Sequence, residues 1–384
     1  MPSTAPTFQH LGPFSDLVAM ASADHELFPE APPGPETRQK IWQVLGFGSA
    51  RPRVQAVRLE RQWTDRDLVG EEVSWSVGFG PRTHAFVLRP EGTGPFPAVL
   101  ALHDHGHFKF LGKEKIANGP EGPLTSLSEF RSIYYGGRAY ADELARRGYL
   151  VVVNDMFLWG SRRFPLEVMP ETEQVLAGHV GANLQQETAG AEIANYNGAA
   201  YLHEHLVSKY CTILGTSFAA IVAYEDRCAL SYLLGRPDAD PTRVGCIGLS
   251  GGGARAALVR ATAAELSACA IVGMMSTYEQ LLDRCIAPHT WMLFPPGWAT
   301  RGDWPDLAAS AAPSPLLVQY LLDDAQFTVQ GMKGADRRIA GHYARSGAPQ
   351  AYVGEFYPGP HRFDVVMQES AFGWLDRHFM KQDD

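Results

Sequence analysis

Apolar positions along most of this chain come in short unbroken runs rather than in alternation with polar ones. The runs are RTHAFVLR (Arg82 to Arg89), PAVLALH (Pro97 to His103), YLVVVN (Tyr149 to Asn154), VGCIGL (Val244 to Leu249), ACAIVGM (Ala268 to Met274), PLLVQYLL (Pro315 to Leu322) and QAYVGEFY (Gln350 to Tyr357). A short run apolar at nearly every position suits a parallel strand covered on both faces. Helix-forming stretches lie between them: Arg138 to Arg147, Ser217 to Leu234, Ala254 to Leu266 and Phe372 to Met380. The RRG that ends the first of these puts basic residues and glycine where a helix C-terminus prefers them. Strand and helix in alternation predict an α/β fold with a mostly parallel central sheet.

Three stretches depart from this rhythm. Residues 1–55 read as an N-terminal helical extension ahead of one large domain at 56–384, with PEAPPGP (Pro29 to Pro35) as an irregular joint. Residues 158–210 and 276–312 are inserted between elements, and connections that long usually shape a site or a lid. The second insertion carries Trp291, Phe294, Trp298 and Trp304. Its aromatic residues could wall a substrate pocket, with Trp291 and Trp298 as the expected contacts, or could pack the insertion on the core.

Composition narrows the function. At 384 residues the chain can bury a full core without disulfide or metal staples. A formal net charge of −9, with no Lys/Arg cluster longer than a pair, argues against nucleic acid as a partner. No apolar run is long enough to span a bilayer, and MPSTAPTFQHLGPFSD lacks the basic start and apolar centre of a secretory signal, so the expected location is cytoplasmic, off the membrane. Cys211, Cys228, Cys246, Cys269 and Cys285 lie mostly in apolar stretches without C-x-x-C spacing, as reduced core residues do.

The chemistry concentrates at RVGCIGLSGGGARAALVRA (Arg243 to Ala261). Here an apolar strand runs into Gly248-Leu249-Ser250-Gly251-Gly252 and straight on into a helix, the context that G-x-S-x-G requires. Ser250 is the nucleophile candidate, set beside the positive end of the following helix, and the Gly251 amide is one oxyanion donor. The overlapping GGGARA also fits a loose dinucleotide-binding pattern, but the next strand ends in Ser276 and Thr277 rather than a ribose-binding acid. A serine nucleophile needs a base, and the base needs an acid to orient it. Asp323 and Asp324 follow the run PLLVQYLL, and His361 sits in the turn PGPHRF after the last strand.

From about Phe96 onward, roughly three quarters of the chain resembles the α/β-hydrolase fold, and within it the dienelactone hydrolase and acetyl xylan esterase branch of serine esterases. The resemblance rests on RPDADPTRVGCIGLSGGG, DLAASAAPSPLLVQY and FYPGPHRF. It implies a central sheet of about eight mostly parallel strands with helices on both faces. It also implies a Ser250–His361–Asp324 triad, the spacing Asp324-Ala325-Gln326-Phe327 matching the family better than Asp323 does. By the same match the second oxyanion donor is the His105 amide in His103-Asp104-His105-Gly106-His107, where Asp104 replaces the family's usual glycine. Asp155, after the third run, falls where the family carries an acidic residue that orders a loop.

The expected activity is hydrolysis of small carboxylic esters, acetyl esters among them, through an acyl-enzyme, with no metal and no organic cofactor. Activity should fall on acidification as His361 takes up a proton. The alternatives are a peptidase or amidase using the same triad, and a non-catalytic hydrolase-like binding protein. A zinc site at HDHGH is disfavoured by its spacing, and dehalogenase chemistry by Ser in place of Asp at the elbow. Arg162 and Arg163 read as surface charge or, less readily, as an anchor for an acidic substrate. The N-terminal extension could mediate a homodimer.

Overall fold

The apolar runs become seven adjacent strands of a nine-stranded sheet, the last of them at its edge, in the computed structural model, which describes residues 7–183 and 190–380. The ends of the N-terminal extension and of the chain, and residues 184–189 inside the first insertion, lie outside the described residues. The strands are β1 (Gln55–Asp65), β2 (Leu68–Ser76), β3 (Thr83–Pro90), β4 (Phe96–Leu102), β5 (Leu150–Asn154), β6 (Ala239–Leu249), β7 (Ala268–Val272), β8 (Leu316–Leu321) and β9 (Tyr352–Tyr357). Their spatial order is β1-β2-β3-β5-β4-β6-β7-β8-β9. The first three form an antiparallel meander, β3 pairs antiparallel with β5, and every pairing from β5 to β9 is parallel.

The strand runs are unbroken because alternate residues enter two different cores. On β4, Leu100 and Leu102 join the layer containing Val152, Cys246 and Ile271, while Val99 and Ala101 join the layer containing Val151, Ile247 and Val272. Both layers are capped by helices, so neither sheet face has a polar set to alternate with.

β1 and β2 were not expected. β1 is exposed along nearly its whole length, and its sequence QAVRLERQWTD intersperses Val57, Leu59 and Trp63 with polar residues instead of forming an unbroken apolar run. The helices Thr125–Tyr134 and Val329–Arg345 were also missed, although the second buries Met332, Ala335, Ile339 and Tyr343 at helical spacing. The expected helices form with shifted ends, at Tyr140–Arg146, Phe218–Leu234, Gly251–Thr262 and Val365–Phe379. Ser217 caps the second by accepting from Ala220 N.

Ahead of β1, the helix Asp16–Asp24 buries no residue, whereas Pro35–Leu45 plants Ile41 and Leu45 in the core. Arg338 donates to Phe28 O at 3.1 Å, holding the segment between the two helices against the body. The first insertion contributes the helices Glu171–Asn183 and Ala191–Ile213. The second is mostly 3-10 turns and the short helix Trp304–Ala309, closed by a capping box between Asp303 and Asp306.

Register decides where chemistry can gather. Leu102 pairs with Gly248, Leu249 with Val272, and Leu321 with Tyr357. The carboxyl ends of these parallel strands therefore open on one edge of the sheet, where α/β proteins place their ligands.

Candidate active site

Ser250 leaves β6 with φ 57° and ψ −120°. A non-glycine residue held there costs on the order of 1–3 kcal/mol, which the surroundings must offset. Ser250 N donates to Val272 O at 2.8 Å, and Ala254 N to Ser250 O at 2.9 Å. The flanking glycines are required by contact: a Cβ on Gly252 would lie 2.1 Å from Leu102 O, and one on Gly248 2.4 Å from the Gly252 carbonyl carbon. The helix can pack this closely on β4 and β6 only without those side chains. Beneath the elbow, fully buried Arg255 holds fully buried Asp226 through two bonds, of 2.9 and 2.6 Å, and donates to His103 O at 3.2 Å.

The two candidate acids behave oppositely. Asp324, buried at the end of β8, presents Oδ2 to His361 Nδ1 at 2.6 Å and accepts from Gln326 N on Oδ1 at 2.9 Å. Asp323 is exposed and accepts from Gly359 N at 2.6 Å, tying its turn to the one that carries His361. A carboxylate only accepts, so with the imidazole neutral Nδ1 carries the proton and Nε2 is left as a free base. Beyond His361, Phe363 N donates to Tyr134 O at 2.7 Å and fixes the turn. Ser250 and His361 line the same pocket. Among the described residues the Ser250 hydroxyl has no hydrogen-bond partner, a common resting arrangement in unliganded serine sites.

A Cβ on Gly251 would fall 2.6 Å from His105 N, so the two backbone segments expected to supply amide donors lie against each other. Neither amide is taken by a protein acceptor among the described residues. Asp104 is buried between Tyr135 Oη, at 2.5 Å from its Oδ1, and Lys115 Nζ, at 3.4 Å from its Oδ2. Gly106 turns at φ +54°, where a Cβ would meet Asp104 Oδ2 at 2.2 Å. His105 Nε2 lies 3.1 Å from Glu204 Oε2 and His105 Nδ1 accepts from His107 N at 3.1 Å. Glu204 also accepts from Lys109 Nζ, from the Thr290 hydroxyl at 2.6 Å and from Trp291 N at 3.0 Å. Against the opposing cost of its burial, Lys109 and His105 hold the Glu204 carboxyl well below the usual carboxylate range. One carboxylate from the first insertion thus joins the amide loop to the second insertion.

The pocket is small and opens to solvent. Besides the residues above, Tyr134, Met274, His289, Leu293 and Phe327 wall it. Burial pulls the His289 imidazole down to about 4, so it is neutral near pH 7. Its Nε2 lies 3.2 Å from Gln326 O, a carbonyl that can only accept.

Several expected contacts lie elsewhere. Trp298 is fully buried and packs against Gly302. Trp291 points outward and donates its ring N–H to His205 at 2.9 Å. The second insertion does wall the pocket, but through Pro288, His289, Thr290 and Leu293. Arg162 is neither surface charge nor a substrate anchor: it is buried against Glu225, which is itself buried. Arg163 lies 4.4 Å over the Phe110 ring. Asp155, wholly buried, accepts from Lys113 N at 2.8 Å and Ser161 N at 2.9 Å, so it orders two loops at once. All five cysteines are buried and unbridged. Among the described residues no three His, Cys, Asp or Glu side chains converge as a metal-ligand set. Sequence reasoning missed Lys115, Glu204 and His289, which carry no local motif and acquire their places only through the fold.

A mostly parallel sheet with helices on both faces, a strained serine between β6 and its helix, and an acid and a histidine after the last two strands define the α/β-hydrolase fold, and the chain has that fold. No model of a known protein family matches it. Over 346 residues it is 22% identical to "Putative hydrolase YtaP" of Bacillus subtilis (strain 168), spanning 89% of this chain and 98% of that protein. Among solved structures it is similar to a "putative acetyl xylan esterase" from Bacteroides fragilis NCTC 9343, with TM-score 0.61, 17% identity and coverage of 83% of this chain and 73% of that one. It is likewise similar to a glucuronoyl esterase from Solibacter usitatus, with TM-score 0.57, 14% identity and coverage of 98% and 97%. A promiscuous CE15 esterase from a marine bacterial metagenome aligns with TM-score 0.60, 14% identity and coverage of 90% and 91%. At these identities the likeness establishes the fold, and the chemistry has to be argued from the site.

Proposed function

We propose that the protein is a serine hydrolase of small carboxylic esters. The observation that carries this reading is the 2.6 Å contact between His361 Nδ1 and Asp324 Oδ2 in the same pocket as the strained Ser250. That contact leaves Nε2 as the basic nitrogen of a neutral ring.

In the proposed cycle, Ser250 Oγ attacks the ester carbonyl while its proton passes to His361 Nε2. The imidazolium is held by Asp324, and the oxyanion lies against the Gly251 and His105 amides. The carbon–oxygen bond to the leaving alcohol then breaks as Nε2 returns the proton to that alcohol. Water, deprotonated by the same nitrogen, adds to the acyl-enzyme, and collapse releases the acid and restores Ser250. The half-apolar wall of Met274, Leu293 and Phe327 suits a short acyl chain. That structurally similar proteins include esterases supports ester rather than amide cleavage.

Ser250→Ala should lower turnover of a short aryl acetate by at least a thousandfold while leaving the thermal midpoint near wild type, and a fluorophosphonate should label the wild type at Ser250 alone. Retention of most activity by the variant would refute the assignment. Parallel rates on an acetyl ester and an aminoacyl amide test the choice of substrate, and faster amide cleavage would favour a peptidase.

A further inference from the structure

The wholly buried Lys115 lies in the 3-10 turn Lys113–Lys115, behind the loop that carries the His105 amide. Its ammonium donates to Asp104 O at 2.5 Å, His105 O at 3.2 Å and Asp104 Oδ2 at 3.4 Å. All three acceptors belong to this one loop. The shortest contact is to the Asp104 carbonyl rather than to its carboxylate, so neutralising Asp104 does not by itself account for the lysine. The turn is braced in its own right, since Arg131 donates to the carbonyls of Glu114, Lys115 and Ala117 at 2.6–3.1 Å.

The Asp104 carbonyl and the His105 N–H belong to one peptide unit, and in a trans peptide they point in opposite directions. An ammonium on the carbonyl fixes the plane of that peptide and turns the N–H to the far side, where Gly251 lies. Trp159 Nε1, donating to His105 O at 3.1 Å, holds the next peptide as well. A full positive charge on the carbonyl also polarises the peptide, and inside a protein that charge is poorly screened.

We propose that Lys115 is a positioning residue for the oxyanion hole, acting through the Asp104–His105 peptide to aim and strengthen the His105 donor. This rests on the esterase reading above. The interaction matters only when negative charge has developed on the substrate oxygen, so its loss belongs in kcat rather than KM.

Two properties separate this role from simple bracing. Burial pulls the Lys115 ammonium down to about 8, with Arg255 acting in the same direction and Asp104 and Asp155 opposing it. Tyr135, Arg131, His103, His105 and His107 are other titratable groups around it. Wild-type kcat should therefore fall as pH rises through about 8, and Lys115→Arg, which keeps its charge, should lack that fall. At pH 7, Lys115→Gln should lose roughly 30- to 100-fold in kcat, less than deletion of an oxyanion donor outright, with KM within about threefold. Its affinity for a short alkylboronic acid, which forms a tetrahedral serine adduct, should fall by a similar factor.

The test is steady-state turnover of an aryl acetate by wild type, Lys115→Gln and Lys115→Arg from pH 6 to 10, with fluorophosphonate labelling of each. No labelling of wild type at Ser250 overturns the esterase reading and this inference together. A labelled wild type with Lys115→Gln kcat within threefold of it overturns the Lys115 role alone. Should Lys115→Gln fail to fold, the alkaline limb decides: present in wild type and absent in Lys115→Arg supports the role, and any other pattern overturns it.

Discussion

Two adjacent carboxylates of the same chemistry offer the sharpest test of the site. Asp324 Oδ1 is anchored by Gln326 N at 2.9 Å while Oδ2 meets His361 Nδ1 at 2.6 Å. In Asp324→Asn the side-chain carbonyl must keep the Gln326 N–H, because an amide nitrogen would set donor against donor there. The NH2 group then replaces Oδ2 and faces His361. That geometry favours the tautomer with bare Nδ1 and protonated Nε2, which removes the lone pair that would accept the Ser250 proton. Loss of both the correct tautomer and the charge opposite the imidazolium should cost about ten-thousandfold in kcat, or roughly 5.5 kcal/mol of transition-state stabilisation. Asp323→Asn keeps an acceptor for Gly359 N on an exposed side chain, so it should stay within about threefold of wild-type kcat and about 0.5 kcal/mol of its stability. Initial rates on an aryl acetate near pH 7, beside thermal midpoints of all three proteins, make the measurement. An Asp324→Asn enzyme within tenfold of wild type, or an Asp323→Asn enzyme weaker than it, would refute the reasoning.

Further outcomes follow from the same geometry. Gly252→Ala puts a Cβ 2.1 Å from Leu102 O, a strand carbonyl with little freedom to move, and should destabilise by about 3 kcal/mol; a loss under 1 kcal/mol in urea denaturation would show that the helix can shift. Burial pushes the Asp303 carboxyl up to about 7, so the folded state holds its proton more tightly than the unfolded chain and this group's contribution to stability falls as pH rises from about 4 to about 7. Asp303→Asn stays neutral and should gain on wild type across that window; an equal difference in unfolding free energy at its two ends would rule Asp303 out. Trp298→Ala should cost about 3–5 kcal/mol from a fully packed position without changing KM in the protein that folds, and Trp291→Ala should leave both near wild type. A fivefold rise in KM for either would return that tryptophan to the substrate pocket.

How much could be read beforehand depended on whether a signal was local. The inner parallel strands announced themselves because two-sided burial makes nearly every position along their buried stretches apolar. β1 gave no such sign, because an exposed edge strand has no buried face to mark its sequence. Val329–Arg345 carries a readable stripe through Met332, Ala335 and Ile339. The tryptophans misled for a related reason: an aromatic residue at a wall and one in a core look alike in sequence, and only full burial against Gly302 separates them for Trp298.

What the sequence by itself determined was the class of architecture and the serine elbow. G-x-S-x-G between a strand and a helix is a short-range constraint, written into neighbouring residues by the contacts that Gly248 and Gly252 leave no room to fill. Only the tertiary structure decided which of Asp323 and Asp324 meets His361, that Lys115 and Glu204 stand behind the amide loop, and that Leu293 and His289 rather than Trp291 and Trp298 face the pocket. Those partners are separated by 10 to 99 residues. Their meeting depends on strand order and on a register in which a shift of one residue would turn each side chain to the opposite face.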